Sequence, residues 1–194
     1  MSAPHMDMGR IVSCHVINGK RINIIKESVV NAETDVIVNC ANSQGLGGGG
    51  VDGAISKAGG NVLYEARKHL WVNEDGERIP CGDAKATVGG DLEAGYCIHA
   101  VGPNYSVCKD NPDGKLWNAY RATMREAQAL EARTIAFSLI SAGVFKGNKT
   151  LEHVLAIGID SILDNYYNGL NYVHMYCFSD EEVKALSKIM KLYN

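Results

Sequence analysis

Two short loops hold the residues whose types and spacing could do chemistry. The first runs from Cys40 to Gly53 and reads CANSQGLGGGGVDG, with Asn42 and Asp52 bracketing the four consecutive glycines Gly47 to Gly50. Such a run loses more backbone entropy on folding than almost any other sequence. Its usual compensation is a conformation or a close approach that a side chain would forbid. The run opens a helical segment, Val51 to Ala58, so bare N–H groups and the positive end of a helix dipole would face an anion such as a phosphate. The bland alternative is a flexible loop. The second loop, Ile140 to Asn148 (ISAGVFKGN), also joins a strand to a helix. Its small residues Ser141, Ala142 and Gly143 would admit a second phosphate, and Phe145 could cover a sugar. Here the alternative is an ordinary turn.

Two other motifs fail on position. Gly48, Gly50 and Gly53 satisfy G-x-G-x-x-G, but the dinucleotide fingerprint places its first glycine directly after the strand, and Gly48 lies well beyond Asn39. A Rossmann-like oxidoreductase is therefore a rival reading with a weak motif. Gly143 to Thr150 resembles a P-loop, but Asn148 separates Gly147 from Lys149 and breaks the required G-K-[ST]. No G-x-S-x-G elbow is present. His99 sits in an apolar run and reads as a satisfied core residue. His15, His69, His153 and His174 show no metal spacing, and Cys14, Cys40, Cys81, Cys97, Cys108 and Cys177 form no C-x-x-C pair. Buried free thiols in a reducing compartment are expected, with neither a disulfide framework nor a zinc site.

The elements that must position these loops follow from periodicity. Short β-branched runs alternate with helical stretches, which predicts a three-layer α/β/α domain around a mixed, mostly parallel sheet. Strands are expected at Arg21 to Lys26, Asp35 to Asn39, Tyr96 to Val101, Thr134 to Leu139 and Tyr172 to Phe178. A weaker strand is expected near Ala84 to Val88, and Ile11 to Val16 could add an edge. Leu116, Tyr120, Met124, Ala127 and Leu130 mark one buried face of a helix between Lys115 and Ala132. A second helix carries Leu151, Val154, Leu155, Gly158 and Ile162, and Ser179 with Glu182 forms a capping-box signature for a last one. Val72 to Gly82 reads as a surface loop.

The 194 residues suit one domain, expected over 11–194, with 1–10 a flexible N-terminus open to a vector origin. Hydrophobic residues make up 46% and charged residues 21%, which argues for a folded chain. Nineteen basic against 22 acidic residues leave a net charge of -3, so neither nucleic acid nor an anionic membrane is an expected partner. With no apolar run of membrane-spanning length and no secretory core, the chain is expected to be soluble, intracellular and cytoplasmic.

Three ordered segments resemble the macrodomains, in particular their MacroD-type hydrolase branch: Asp35 to Gly60 (DVIVNCANSQGLGGGGVDGAISKAGG), Gly82 to Pro103 (GDAKATVGGDLEAGYCIHAVGP) and Ser138 to Phe145 (SLISAGVF). The resemblance implies a cleft for ADP-ribose at the strand ends and no metal or other cofactor. It implies that Asn42 hydrogen-bonds the distal ribose and that Asp52 is the catalytic carboxylate. Ala41, Gly48, Gly49, Gly50 and Val51 would surround the distal ribose and diphosphate. Ser141, Ala142, Gly143, Val144 and Phe145 would form the facing loop. Phe178 would lie beside adenine, near Ser28 and Val29. The partners implied are ADP-ribose and mono-ADP-ribosylated proteins. The activity implied is hydrolysis of ADP-ribose from acidic side chains or deacetylation of O-acetyl-ADP-ribose, with a non-catalytic ADP-ribose reader as the alternative. Three positions depart from the pattern. Glu27 and Ser28 stand where the family usually has Gly-Asp, whose aspartate accepts from the adenine amine, a difference of about 1 kcal/mol. Ser56 replaces a common histidine, and Lys146 to Asn148 replaces a common Gly-Tyr-Pro. A zinc-dependent branch places Cys and His ligands within the first glycine loop, and none occurs between Asn42 and Gly60.

Overall fold

The computed structural model describes residues 10–193. The expectation for residues 1–10 therefore lies outside the described residues, except at Arg10, which forms a 2.9 Å ion pair with Glu27. Seven strands form one sheet: β1 (Ile11–Ile17), β2 (Lys20–Lys26), β3 (Val36–Cys40), β4 (Ala84–Val88), β5 (Tyr96–Ala100), β6 (Thr134–Phe137) and β7 (Tyr172–Cys177). Their order is β1-β2-β7-β6-β3-β5-β4. The five inner strands β2, β7, β6, β3 and β5 run parallel, and the edges β1 and β4 pair antiparallel with β2 and β5. The mixed, mostly parallel sheet matches the expected class. Each strand ends within two residues of its expected limit.

Four helices cover the two faces: α1 (Gly50–Lys68), α2 (Pro112–Ala129), α3 (Leu151–Asp164) and α4 (Asp180–Met190). The two-residue period of the strands decides which face each side chain serves. Val36, Val38, Ile135 and Phe137 pack with α2, α3 and α4, whereas Ile37 and Ala136 pack with Ile55 and Leu63 of α1. The capping box forms as expected, with Ser179 accepting from the Glu182 amide at 3.2 Å and Glu182 accepting from the Ser179 amide at 3.0 Å.

Four expectations need correction. The helix expected over Val51 to Ala58 continues to Lys68, because Gly60 takes φ 64 and kinks the chain into a second helical stretch instead of ending it. The loop Val72 to Gly82 is not wholly at the surface, since Ile79 is fully buried beside Ala41 and Val101. Of the free thiols expected to be buried, only Cys97 and Cys177 are, whereas Cys40, Cys81 and Cys108 are partly buried and Cys14 is exposed on the edge strand. Leu130 is only partly buried, unlike the other four residues of its helical face.

Tyr120 of α2 links the core to the second glycine-bearing loop. Its ring stacks on Phe137 with centroids 5.4 Å apart, and its hydroxyl accepts from the Ile140 amide at 3.1 Å. Gly158 gives α3 room against the ring, because a Cβ there would lie 2.6 Å from Tyr120 Cζ. Tyr120→Phe would leave a buried N–H without its partner. It is expected to lower the unfolding free energy by about 1–3 kcal/mol in urea titration, and an unchanged midpoint would refute this role.

Candidate functional site

Parallel strands deliver their following loops to one edge of the sheet, and five do so here. Glu27 to Val29 follow β2, Cys40 to Val51 follow β3, Gly102 follows β5, Ser138 to Phe145 follow β6, and Phe178 follows β7. These segments line two adjoining hollows. One, of about 500 Å³, is bounded by Ser28, Val29, Ala142, Tyr176, Phe178 and Glu182 among others. The other, of about 460 Å³, is bounded by Ala41, Asn42, Gly48, Gly49, Asp52, Ser141, Val144 and Phe145 among others. Gly50, Val51, Leu139 and Gly143 line both, so the hollows form one elongated cleft. Every expected site residue borders this cleft, and the two loops face each other across it.

The glycines are used in different ways. Gly50 needs its left-handed backbone at φ 58. A Cβ on Gly48 would crowd Asp52 Oδ2 at 3.2 Å and Asn42 Nδ2 at 3.3 Å. At Gly49 and Gly143 a Cβ would meet nothing within 4 Å. Both line the cleft, and a side chain at either would stand in open space. Gly49 caps α1 without a side-chain hydrogen bond, and the first turn of α1 thus turns uncapped N–H groups to the cleft.

The second loop is anchored from behind. Ser141 holds a left-handed backbone at φ 57, and its hydroxyl donates to the Pro103 carbonyl at 2.9 Å. Gly102 allows this approach, since a Cβ there would stand 2.2 Å from Ser141 Oγ. The Ser141 side chain is thus an anchor, and only its backbone is offered to the cleft. Asn42 similarly closes its own loop, donating to the Gly47 carbonyl at 3.0 Å and accepting from the Gly45 amide at 3.2 Å.

Asp52 borders the cleft yet is 3% exposed, and it pairs with Arg67, which is 1% exposed. Its Oδ1 accepts from Arg67 Nη1 at 2.8 Å, from Asn39 Nδ2 at 2.8 Å and from Ser56 Oγ at 3.4 Å. Its Oδ2 accepts only from Arg67 Nη2, at 3.3 Å. Arg67 also donates to Ser56 Oγ at 2.8 Å and to the Gly45 carbonyl. Sequence reasoning missed Asn39 and Arg67. The fifteen positions from Asp52 to Arg67 span the kink at Gly60, so no helical period relates them.

Behind this pair lies His99, fully buried as expected. Asn39 Nδ2 donates to His99 Nδ1 at 3.0 Å, and His99 Nε2 sits 2.9 Å from Thr87 Oγ1. The Thr87 hydroxyl can give its proton to the Val88 carbonyl at 3.1 Å, which leaves the histidine neutral with its proton on Nε2. Burial, with Arg67 nearby, pushes the His99 pKa down to about 3. Cys40 borders the cleft as well, but burial pushes its thiol up to about 12, so it stays protonated and a poor nucleophile near neutral pH. Among the described residues, no group of three or more His, Cys, Asp or Glu side chains could hold a metal, and no helix is long and apolar enough to cross a membrane.

Residues 38–152 match the Macro domain family. The chain belongs to this family. A Macro domain-containing protein of Caldanaerobacter subterraneus is 38% identical over 171 residues, covering 87% of this chain and 95% of that protein. An O-acetyl-ADP-ribose deacetylase of Klebsiella pneumoniae is 36% identical over 170 residues, covering 88% and 96%. The macrodomain of Oceanobacillus iheyensis solved with ADP superposes with a TM-score of 0.84 at 32% identity, covering 93% of this chain and 95% of that one. A Trypanosoma brucei macrodomain in complex with ADP-ribose gives 0.73 at 28% identity, covering 89% and 69%. The resemblance read from the three sequence segments is thus correct, and so is the macrodomain fold.

The buried histidine of this macrodomain should govern its acid stability. As pH falls below the ordinary histidine value of 6.5, the unfolded chain takes up a proton that folded His99 refuses until about pH 3. Stability present above pH 6.5 is therefore lost as pH falls through that window. His99→Gln should flatten the dependence of unfolding free energy on pH between about pH 4 and about pH 6.5. Partly buried His15 is shifted in the same direction and leaves a residual slope. An undiminished slope in the variant would show that His99 is not the group responsible.

Proposed function

We propose that this macrodomain binds ADP-ribose along the cleft and hydrolyses the ester joining its distal ribose to an acidic side chain of a modified protein, or to acetate in O-acetyl-ADP-ribose. One observation carries the reading. Two loops with bare glycine amides face each other across an open cleft, one of them at the uncapped start of α1, and a buried carboxylate borders the same hollow. The Oceanobacillus structure with ADP, the Trypanosoma complex with ADP-ribose and the Klebsiella deacetylase support the ligand and the reaction class.

In this reading the diphosphate lies where Gly50, Val51, Leu139 and Gly143 narrow the cleft, held by amides of both loops. The adenine lies toward Ser28, Val29 and Phe178, whose ring is 84% exposed and free to stack. The distal ribose lies beside Asn42 and Asp52, under Val144 and Phe145. Water attacks the ester carbonyl. The carbonyl–ribose oxygen bond then breaks, the ribose oxygen takes up a proton, and the acid is released. Asp52 Oδ1 is filled by three donors, so Oδ2 is the oxygen with capacity left to hold the water or a ribose hydroxyl. Asp52 thereby acts by holding its partner in place within a fixed frame, and Arg67 and Asn39 hold Asp52.

Removing the carboxylate outright would strand Arg67 as a buried cation, at a cost of about 3–5 kcal/mol. Asp52→Asn also removes the charge, but its amide oxygen can still accept from Arg67 and Asn39, so with folding checked by circular dichroism it is the milder probe than Asp52→Ala. On a peptide carrying ADP-ribose on a glutamate, it is expected to reduce turnover by about a hundred- to ten-thousand-fold. ADP-ribose affinity, measured by calorimetry, should change far less. Equal losses in both quantities would remove the catalytic role. If the wild type binds ADP-ribose and releases none from the peptide, the reader function stands instead.

A further inference from the structure

We infer that the rim outside the Asp52 end of the cleft is a docking surface for the protein part of the substrate, and that it selects acidic segments. The inference rests on the ADP-ribose reading above and adds the chemistry of the partner. A modified side chain leaves the ligand at the distal ribose, so the polypeptide bearing it must lie over the outer edge of the hollow formed by Asn42, Asp52, Val144 and Phe145.

That edge is built from two loops held together. The Tyr105 amide donates to the Phe145 carbonyl at 2.8 Å, and Gly147 packs so closely on Tyr105 and Ser106 that a Cβ would come within 2.9 Å of Ser106 Oγ. Three lysine amines gather on this junction. Lys109 donates to the Ser106 carbonyl at 3.0 Å, Lys146 donates to the Lys149 carbonyl at 2.8 Å, and Lys149 stands 5.6 Å over the Tyr105 ring. None lines the cleft, and among the described residues none forms an ion pair with a carboxylate. The nearby acids are already engaged. Asp110 pairs with Lys115 at 3.4 Å, and Asp113, bonded to His153 and Tyr105, also feels the charge of Lys149, so Lys109, Lys115, Lys146 and Lys149 stand against two carboxylates and the excess is positive.

The result is a positive rim on a chain whose net charge is -3. Val144 at 90% and Val107 at 71% exposure add apolar contact beside the lysines. Charge complementarity therefore favours an acidic segment around the modified residue, and attraction of this kind steers encounter and sets preference among partners. Lys109 and Lys146 place their amines on backbone carbonyls, Lys149 places its amine over the Tyr105 ring, and none lines the cleft, so free ADP-ribose should be largely indifferent to them.

The test uses two peptides bearing ADP-ribose through a hydrolysis-resistant amide on one glutamine, flanked by glutamates in one and by glutamines in the other. Calorimetry with the wild-type chain should show the acidic peptide binding about tenfold more tightly at low salt, with the preference vanishing as salt rises. Lys109→Gln/Lys149→Gln, which keeps Lys146 alone at the rim, should lose most of the preference for the acidic peptide and bind free ADP-ribose within about twofold of the wild type. Equal affinity of the wild type for both peptides would overturn the docking surface, and so would a preference undiminished in the double variant. In either case retained binding of free ADP-ribose would leave the functional reading intact. Failure of the wild type to bind free ADP-ribose would instead overturn both.

Discussion

Arg67 and Asp52 together impose the constraint on which the site depends. Two opposite charges taken almost wholly out of water are costly to desolvate, and they persist only when further hydrogen bonds satisfy them. Here those bonds come from the strand, the loop and the helix on one side of the cleft. Asn39 brings in the end of β3, the Gly45 carbonyl brings in the glycine loop, and Ser56 brings in the first half of α1. Arg67 itself comes from beyond the kink at Gly60. The pair can form only when the strand, the loop and both halves of the helix are in register, which makes it a device for fixing geometry more than a source of stability.

The same network joins the site to the protonation state of the core. Asn39 has two amide hydrogens, and it gives one to Asp52 and the other to His99. A proton on His99 Nδ1 would oppose the second of these, and turning the amide to accept it would aim Asn39 Oδ1 at a carboxylate. The neutral state of His99, which burial and the nearby Arg67 enforce, is therefore the state that lets Asn39 donate to both His99 and Asp52. A residue that reads as an ordinary core histidine thus helps hold the carboxylate in place.

Much of this was legible beforehand because it rests on local rules. Strand periodicity located all seven strands, Ser179 and Glu182 announced the start of α4, and the tetraglycine run with Asn42 and Asp52 announced the cleft. The reading went astray where a long-range contact overrode a local signal. The helical segment expected over Val51 to Ala58 runs on past the kink at Gly60, where Leu63 and Arg67 are buried in a further helical stretch. Ile79 sits in a charged, Gly- and Pro-bearing segment that reads as exposed, yet it fills a small apolar cluster with Ala41 and Val101.

The sequence by itself determined the class of fold and which loops border the cleft, because hydrophobic period, caps and bare glycine loops act between near neighbours along the chain. Only the tertiary structure decided what Asp52 is bonded to, which oxygen it has left to offer, and that Ser141 anchors its loop from behind. It also decided that lysines from two separate loops share one rim. The physical reason is that hydrogen bonds and charges act through space, and the sheet brings together residues that the chain order keeps far apart.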